Sequence, residues 1–330
     1  VTLGVVLGIV VAGILLRSIL LLCNRFRPPG PRLTREHQPK LFAEIDKIAE
    51  ATRQAPPTEV YLIPLANVCV TKRGGVLGFG GRRVMALGLP LMQTLTVGQF
   101  RAIIAHEFGH YSNDRSLLTP YIYSTRMAIF LSAQSFLTRQ GQMGIVWMVF
   151  SPFTLPFAVY ASLFLRSTHA VSRTHEISAD DLACRIAGGS TTAQALQATC
   201  EAQLAWESYF NDVLEPAFKR GSRPPLTEGF DFHLQEKRAS TAFEKLVNQR
   251  ITEDERDPYD THPPMWERIQ SACATPQSHP TEDPAKATSL LEDISRFDIE
   301  LIEVLLGPER ARALKPTSLP PPLIGAPPTD

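Results

Sequence analysis

The sequence predicts a mostly α-helical fold with a small β-sheet, interrupted by one apolar helical hairpin. Three observations predict it. Apolar residues recur at helical spacing through most of the polar part of the chain. Segments 59–71 and 84–89 are rich in Val, Leu and Ile and flank a cluster of glycines between 74 and 81, as strands joined by a turn would be. Three long apolar runs, at 1–23, 117–137 and 143–165, stand apart from both patterns.

The first run is apolar except for Thr2, Arg17 and Ser18, and its length matches a hydrocarbon layer of ~30 Å. It lacks the short apolar core and small-residue cleavage site of a signal peptide. We expect a transmembrane helix at 1–24, with Arg17 snorkelling toward the interface. A start at Val1 rather than Met leaves room for residues upstream. The run 143–165 carries no charge, and its Pro152 and Pro156 are better tolerated in a membrane helix than in a soluble one. Run 117–137 contains Arg126 and Gln134 and alone reads as a buried or interfacial helix. Joined to 143–165 by a five-residue link, it reads as the first arm of a transmembrane hairpin at 117–166. Arg25, Arg27, Arg32 and Arg35 follow the first run, and Arg115, Arg166 and Arg173 flank the hairpin, whereas its link offers only Arg139. The positive-inside rule then puts the polar parts in the cytoplasm and the hairpin tip outside.

The other elements follow from periodicity and punctuation. Leu41, Ile45 and Ile48 give 39–51 a helical face; 191–218, 230–251 and 289–306 read as further helices, with a loop at 220–229. The Pro-rich 314–330 reads as a disordered tail. The chain's 330 residues suffice for a sizeable core, and 44% hydrophobic residues exclude a disordered chain. Lys+Arg and Asp+Glu balance at 33 each, which argues against a nucleic-acid partner. Five Cys with no CxxC pair argue against a disulfide framework or a Cys-based zinc knuckle.

The chemistry concentrates in Thr96-Val97-Gly98-Gln99, which has the spacing of a capping box, and in the helix that should follow. That helix delivers His106-Glu107-Phe108-Gly109-His110. Histidines at i and i+4 lie one turn apart on one face, so both imidazoles can reach one metal ion. Glu107, one residue on, can lean over the ion as a base without ligating it. A bland alternative is two half-buried histidines on an amphipathic helix. Two His leave a zinc site one protein ligand short. Downstream, Glu176 and Asp180 are i, i+4; Glu176 can complete a His2Glu set, and Asp180 can hydrogen-bond a ligand imidazole and fix its tautomer. His175 could compete as a ligand, but as Glu176's neighbour it faces roughly 100° away. Taken alone, Glu176 and Asp180 could equally be two solvated helix carboxylates.

The two motifs, with an apolar hairpin between them, resemble the integral-membrane zinc metallopeptidases of the HtpX and CAAX-prenyl-protease family. The resemblance covers roughly 41–269. It includes the entry into the motif helix at 86–110, Asn67 in Leu65-Ala66-Asn67-Val68, and Thr261-His262-Pro263 with Glu267-Arg268. It implies a zincin-like metallopeptidase domain in two parts, 36–116 and 167–313, around the transmembrane hairpin. It further implies one Zn2+ per chain held by His106, His110 and Glu176, Glu107 as catalytic base, and His262 with Arg268 in the active site, where an oxyanion would develop. Asn67 would lie on a substrate-binding edge strand. The resulting expectation is a membrane-bound zinc endopeptidase acting on membrane-associated or misfolded proteins at the cytoplasmic face, with a protein or peptide substrate and the lipid bilayer as partners. Two alternatives are a catalytically silent membrane scaffold of the same fold and a soluble zincin whose apolar runs are core helices.

Overall fold

A four-stranded sheet frames the site. In the computed structural model, which describes residues 28–73, 81–112, 159, 173–253, 263–275 and 283–318, its strands are β1 (Arg32–Leu33), β2 (Glu59–Ile63), β3 (Val68–Arg73) and β4 (Arg82–Gly88). Their order is β1-β2-β4-β3, with β2 parallel and β3 antiparallel to β4, so among the described residues β3 is an edge strand. The stretch 59–71, expected as one strand, is two. Pro64 offers no N–H to the ladder and closes β2, and the chain turns before Val68 resumes. At the end of β4, a Cβ on Gly88 would stand 2.0 Å from the Leu65 carbonyl oxygen and 2.4 Å from that of Asn67. Only glycine lets β4 pass so close to this turn.

Between β1 and β2 lies α1 (Pro39–Ala51), which starts on a proline suited to a first helical turn and buries Leu41, Ile45 and Ile48, the face expected from spacing. After β4 come the buried α2 (Leu89–Thr94) and then α3 (Val97–Ser112). The expected capping box forms at the start of α3. The Thr96 N–H donates to Gln99 Oε1 at 3.0 Å, and the Gln99 N–H donates to Thr96 Oγ1 at 3.2 Å. The next two amides are satisfied from far along the chain: Val97 N–H by the Ala285 carbonyl (2.8 Å) and Gly98 N–H by that of Asp283 (3.1 Å). Arg101, one turn in, pairs with the buried Glu44 of α1 and lies 3.3 Å from Asp283. The N-terminal end of α3 is thus held from both sides, which fixes what its C-terminal end presents.

Helix α4 covers 173–187. It is followed by α5 (Gly189–Tyr209), a π-helical turn at Phe210–Leu214, and α6 (Glu215–Lys219). Strand β5 (Ser222–Arg223) leads to α7 (Leu226–Arg238) and α8 (Thr241–Thr252). Then come α9 (Met265–Ala274), α10 (Asp298–Leu306) and α11 (Pro308–Ala313), and β6 (Lys315–Pro316) pairs parallel with β5. The core runs from the inner face of the sheet through Phe100, Ile104 and Phe108 of α3 to Trp206, Tyr209 and Phe230, where Trp206 and Phe230 meet edge to face at 5.5 Å.

Three expectations need correction. The helix expected at 230–251 is two, because Ser240 ends one and caps the next, its Oγ accepting from Phe243 N–H. The loop expected at 220–229 ends early. Asp298 accepts from the N–H groups of Leu226 (2.8 Å) and Thr227 (3.2 Å) and starts α7 from 70 residues away. The helix expected at 289–306 is a pair of 3₁₀ turns, Ala287–Leu290 and Ile294–Phe297, ahead of α10; Asp293 between them adopts φ 48°, a left-handed conformation that breaks the helical run. The start of the expected tail, Leu314 to Thr317, is docked through β6, and 319–330 lie outside the described residues. So do the expected spans at 1–24 and 117–166, apart from Val159. Among the described residues no helix is long and apolar enough to cross a membrane.

Under Tyr209 sits His233, its Nε2 3.1 Å from Ser208 Oγ, which itself donates to Asp212 at 2.8 Å. Ser208 therefore accepts from His233, which stays neutral. Burial first and Lys237 second push His233 down to about 4, against the opposing pull of Asp212. Between that value and the ordinary 6.5 the unfolded chain binds a proton and the fold does not. Stability therefore rises with pH across this window and is lost as pH falls through it. We expect unfolding free energy to drop by roughly 1–2 kcal/mol from pH 7 to pH 5 through this residue. Denaturation of the wild type and His233→Gln at both pH values checks it; equal pH slopes would contradict the assignment.

Candidate metal centre

The C-terminal half of α3 and the first turns of α4 converge on one point. His106 Nε2 and His110 Nε2 are 3.1 Å apart. Glu176 Oε2 lies 3.5 Å from His106 Nε2, and its Oε1 lies 3.4 Å from His110 Nε2. Two donors bound to one tetrahedral ion at 2.0–2.1 Å are roughly 3.3 Å apart, so these three spacings are those of a ready coordination face. Two imidazoles and a carboxylate suit a first-row divalent metal ion, and no other metal-capable group of three His, Cys, Asp or Glu occurs among the described residues.

A second layer fixes the first. Asp180 Oδ1 is 2.8 Å from His106 Nδ1, so the imidazole carries its proton there and turns its Nε2 lone pair toward Glu176 and His110. Arg268, in the first turn of α9, grips Asp180 with both arms: Nε donates to Oδ2 and a terminal nitrogen to Oδ1, each at 2.8 Å. The same guanidinium is 3.4 Å from His106 Nδ1 and 4.0 Å from Glu176 Oε2. Burial alone would raise the Asp180 carboxyl, but Arg268 and then His106 outweigh it and hold it well below the usual carboxylate range. Asp180 is therefore an anion at neutral pH. Arg173 on α4 pairs with Glu267 on α9, tying the two helices beside this cluster.

Glu107 is half-buried and is not one of the three clustered donors. It favours the charged form of Arg268, and, after desolvation, it pushes up the Cys69 thiol on β3. The carboxylate is therefore within electrostatic reach of both Arg268 and Cys69. Strand β3 packs on α3, and Asn67 is exposed just before it, its Oδ1 accepting from Val68 N–H at 2.9 Å.

The family model described as Peptidase family M48 matches residues 47–275. The chain belongs to peptidase family M48. The matched span takes in every residue of the cluster, from Glu107 and its two histidines to Arg268. No curated protein and no solved structure gives a match. Of the site residues expected from this M48 sequence, the structure brings His106, His110, Glu176, Asp180 and Arg268 into one cluster, with Glu107 beside it and Asn67 at the edge-strand entry. His262 lies outside the described residues. The bidentate Arg268–Asp180 pair and the Arg173–Glu267 tie are not visible in the sequence, since each joins positions about 90 apart with no local pattern. M48 membership points to a metal-dependent peptidase, and the cluster of His106, His110 and Glu176 can hold the metal.

Proposed function

We propose that this M48 chain is a zinc-dependent endopeptidase, anchored in the membrane by 1–24 and 117–166, that cleaves membrane-associated or misfolded proteins at the cytoplasmic face. The observation that carries the chemistry is the three-donor face with a separate carboxylate beside it. When bound, the cation supplies Lewis acidity: it lowers the pKa of a water and polarises the scissile carbonyl. Glu107 accepts the proton of the attacking water and passes it to the leaving amine. Asp180 holds the His106 tautomer, and Arg268 acts through Asp180 as a positioning residue. His262, as the family resemblance implies, donates to the developing oxyanion. Asn67 and the neighbouring backbone of β3, which ends the sheet order among the described residues, receive an extended substrate by strand addition. The apolar runs and the arginine asymmetry around them support the membrane anchoring and its orientation.

The test is metal content and peptidase activity on one preparation of the full chain. About one zinc per chain is expected, with activity lost on chelation and restored by zinc. His110→Ala and Glu176→Ala should each lose most of the metal. Full zinc occupancy in both variants would overturn the ligand assignment. A zinc-replete wild type that cuts no unfolded protein or membrane-protein substrate would favour the silent scaffold instead.

A further inference from the structure

The two helices that carry the donor cluster approach each other closely at Gly109 and Ala179. A Cβ built on Gly109 would stand 2.6 Å from Ala179 Cα, 2.9 Å from its Cβ and 3.4 Å from its carbonyl oxygen. Both residues are fully enclosed, Ala179 at 0% exposure. The position of this contact is unusual in both sequences at once. Gly109 stands three residues after His106 and one before His110; Ala179 stands three after Glu176 and one before Asp180. On a helix, residues at offsets −3 and +1 lie about 60° and 100° to one side of a residue, on a common face. The contact therefore lies beside the donor cluster, with a pair of site side chains from each helix on that one side.

We infer that the Gly109–Ala179 contact is the positioning element of the metal site: it sets the distance between the two helices and so the reach of Glu176 and Asp180 to the histidines. The inference rests on the metal-site reading above. The atoms a side chain at 109 would strike are backbone and Cβ of a buried helix, not the yielding end of a long side chain. To bring the closest approach from 2.6 Å to an ordinary 3.4 Å, the helices must part by about 0.8 Å. Metal–ligand bonds tolerate about ±0.2 Å. A shift several times that tolerance takes Glu176 out of reach of the ion although none of the three ligand residues has been substituted. Glycine at 109 is thus required by the crossing, although no turn or positive φ demands it there.

The experiment measures zinc affinity of the full chain by chelator competition, and the visible spectrum after cobalt substitution, which reports coordination geometry. Gly109→Ala and Ala179→Ser enlarge the contact from opposite sides. Each is expected to weaken zinc binding by roughly 10–100-fold, the range seen when supporting residues of metal sites are lost, and to alter the cobalt spectrum. Gly30→Ala is the control: its Cβ would strike the Leu62 carbonyl oxygen at 1.9 Å, a comparable clash at the β1–β2 side of the sheet, away from β3. It should lower the melting temperature and leave the affinity and spectrum of the folded protein unchanged. Wild-type affinity in both contact variants overturns the inference while the metal site stands, as does an equal loss in Gly30→Ala. A wild-type chain that binds no zinc overturns the metal-site reading and this inference with it. Should Gly109→Ala not fold, Ala179→Ser, which adds a single oxygen, decides the outcome.

Discussion

Glu107→Gln is expected to bind zinc like the wild type and to hydrolyse peptides roughly 10²–10⁴-fold more slowly, the range a positioned general base contributes. The expectation follows from where Glu107 stands. His106 and His110 supply two of the three donors, and the residue after His106 points off that face, so Glu107 is not in the coordinating set. Its carboxylate is within electrostatic reach of Cys69 on β3 and of Arg268. Gln keeps the shape and removes the capacity to accept a proton, so fold and metal should be unaffected while turnover collapses. Metal content, far-UV circular dichroism and peptidase rate on the same sample check it. A Glu107→Gln protein with a near wild-type rate would mean that another group takes the proton. A variant that loses zinc would mean that Glu107 belongs to the coordination shell.

What the sequence makes legible here is what lies within a few residues along one helix. The capping box at Thr96 and Gln99, the paired histidines, and Glu176 with Asp180 on one face all follow from 3.6-residue periodicity. The helix at 39–51 is legible for the same reason. Long-range partners are not. Asp298 starts α7 from more than 70 residues away, and the carbonyls of Asp283 and Ala285 satisfy the first amides of α3. A local reading of 220–229 sees two Gly and two adjacent Pro and expects a loop. Ser240 inside 230–251 is an N-cap signal that the surrounding helical periodicity overrides on paper but not in the fold. Gly109 carries no signal at all from sequence, because its requirement comes from Ala179, which sits on another helix. The site residues themselves are read from residue type and spacing, whereas their support is read only from the structure.

Arg268 carries the second large expectation. It is buried, and among the described residues it bonds both oxygens of Asp180 while standing near Glu176 and His106. Burial opposes its charge, yet Asp180 first and then Glu176 and Glu107 keep it protonated. Arg268→Ala would leave the Asp180 carboxylate in the interior with only His106 for company. Breaking one side of a buried pair costs about 3–5 kcal/mol, because the stranded charge keeps its desolvation penalty. Asp180 would then protonate or rotate, releasing the His106 tautomer and weakening zinc binding by roughly 10–100-fold. Arg268→Lys should recover part of the stability but little of the metal affinity, since an ammonium cannot bridge both carboxylate oxygens in one plane. The decisive comparison adds Asp180→Asn. If Arg268 acts through Asp180, the double variant Arg268→Ala with Asp180→Asn should be more stable than Arg268→Ala alone, because no unpaired charge remains. Urea denaturation of the zinc-free proteins measures this without any contribution from the ion. Additive losses in the double variant would show that the two residues do not work as a pair, and Arg268 would then have to act on the substrate directly.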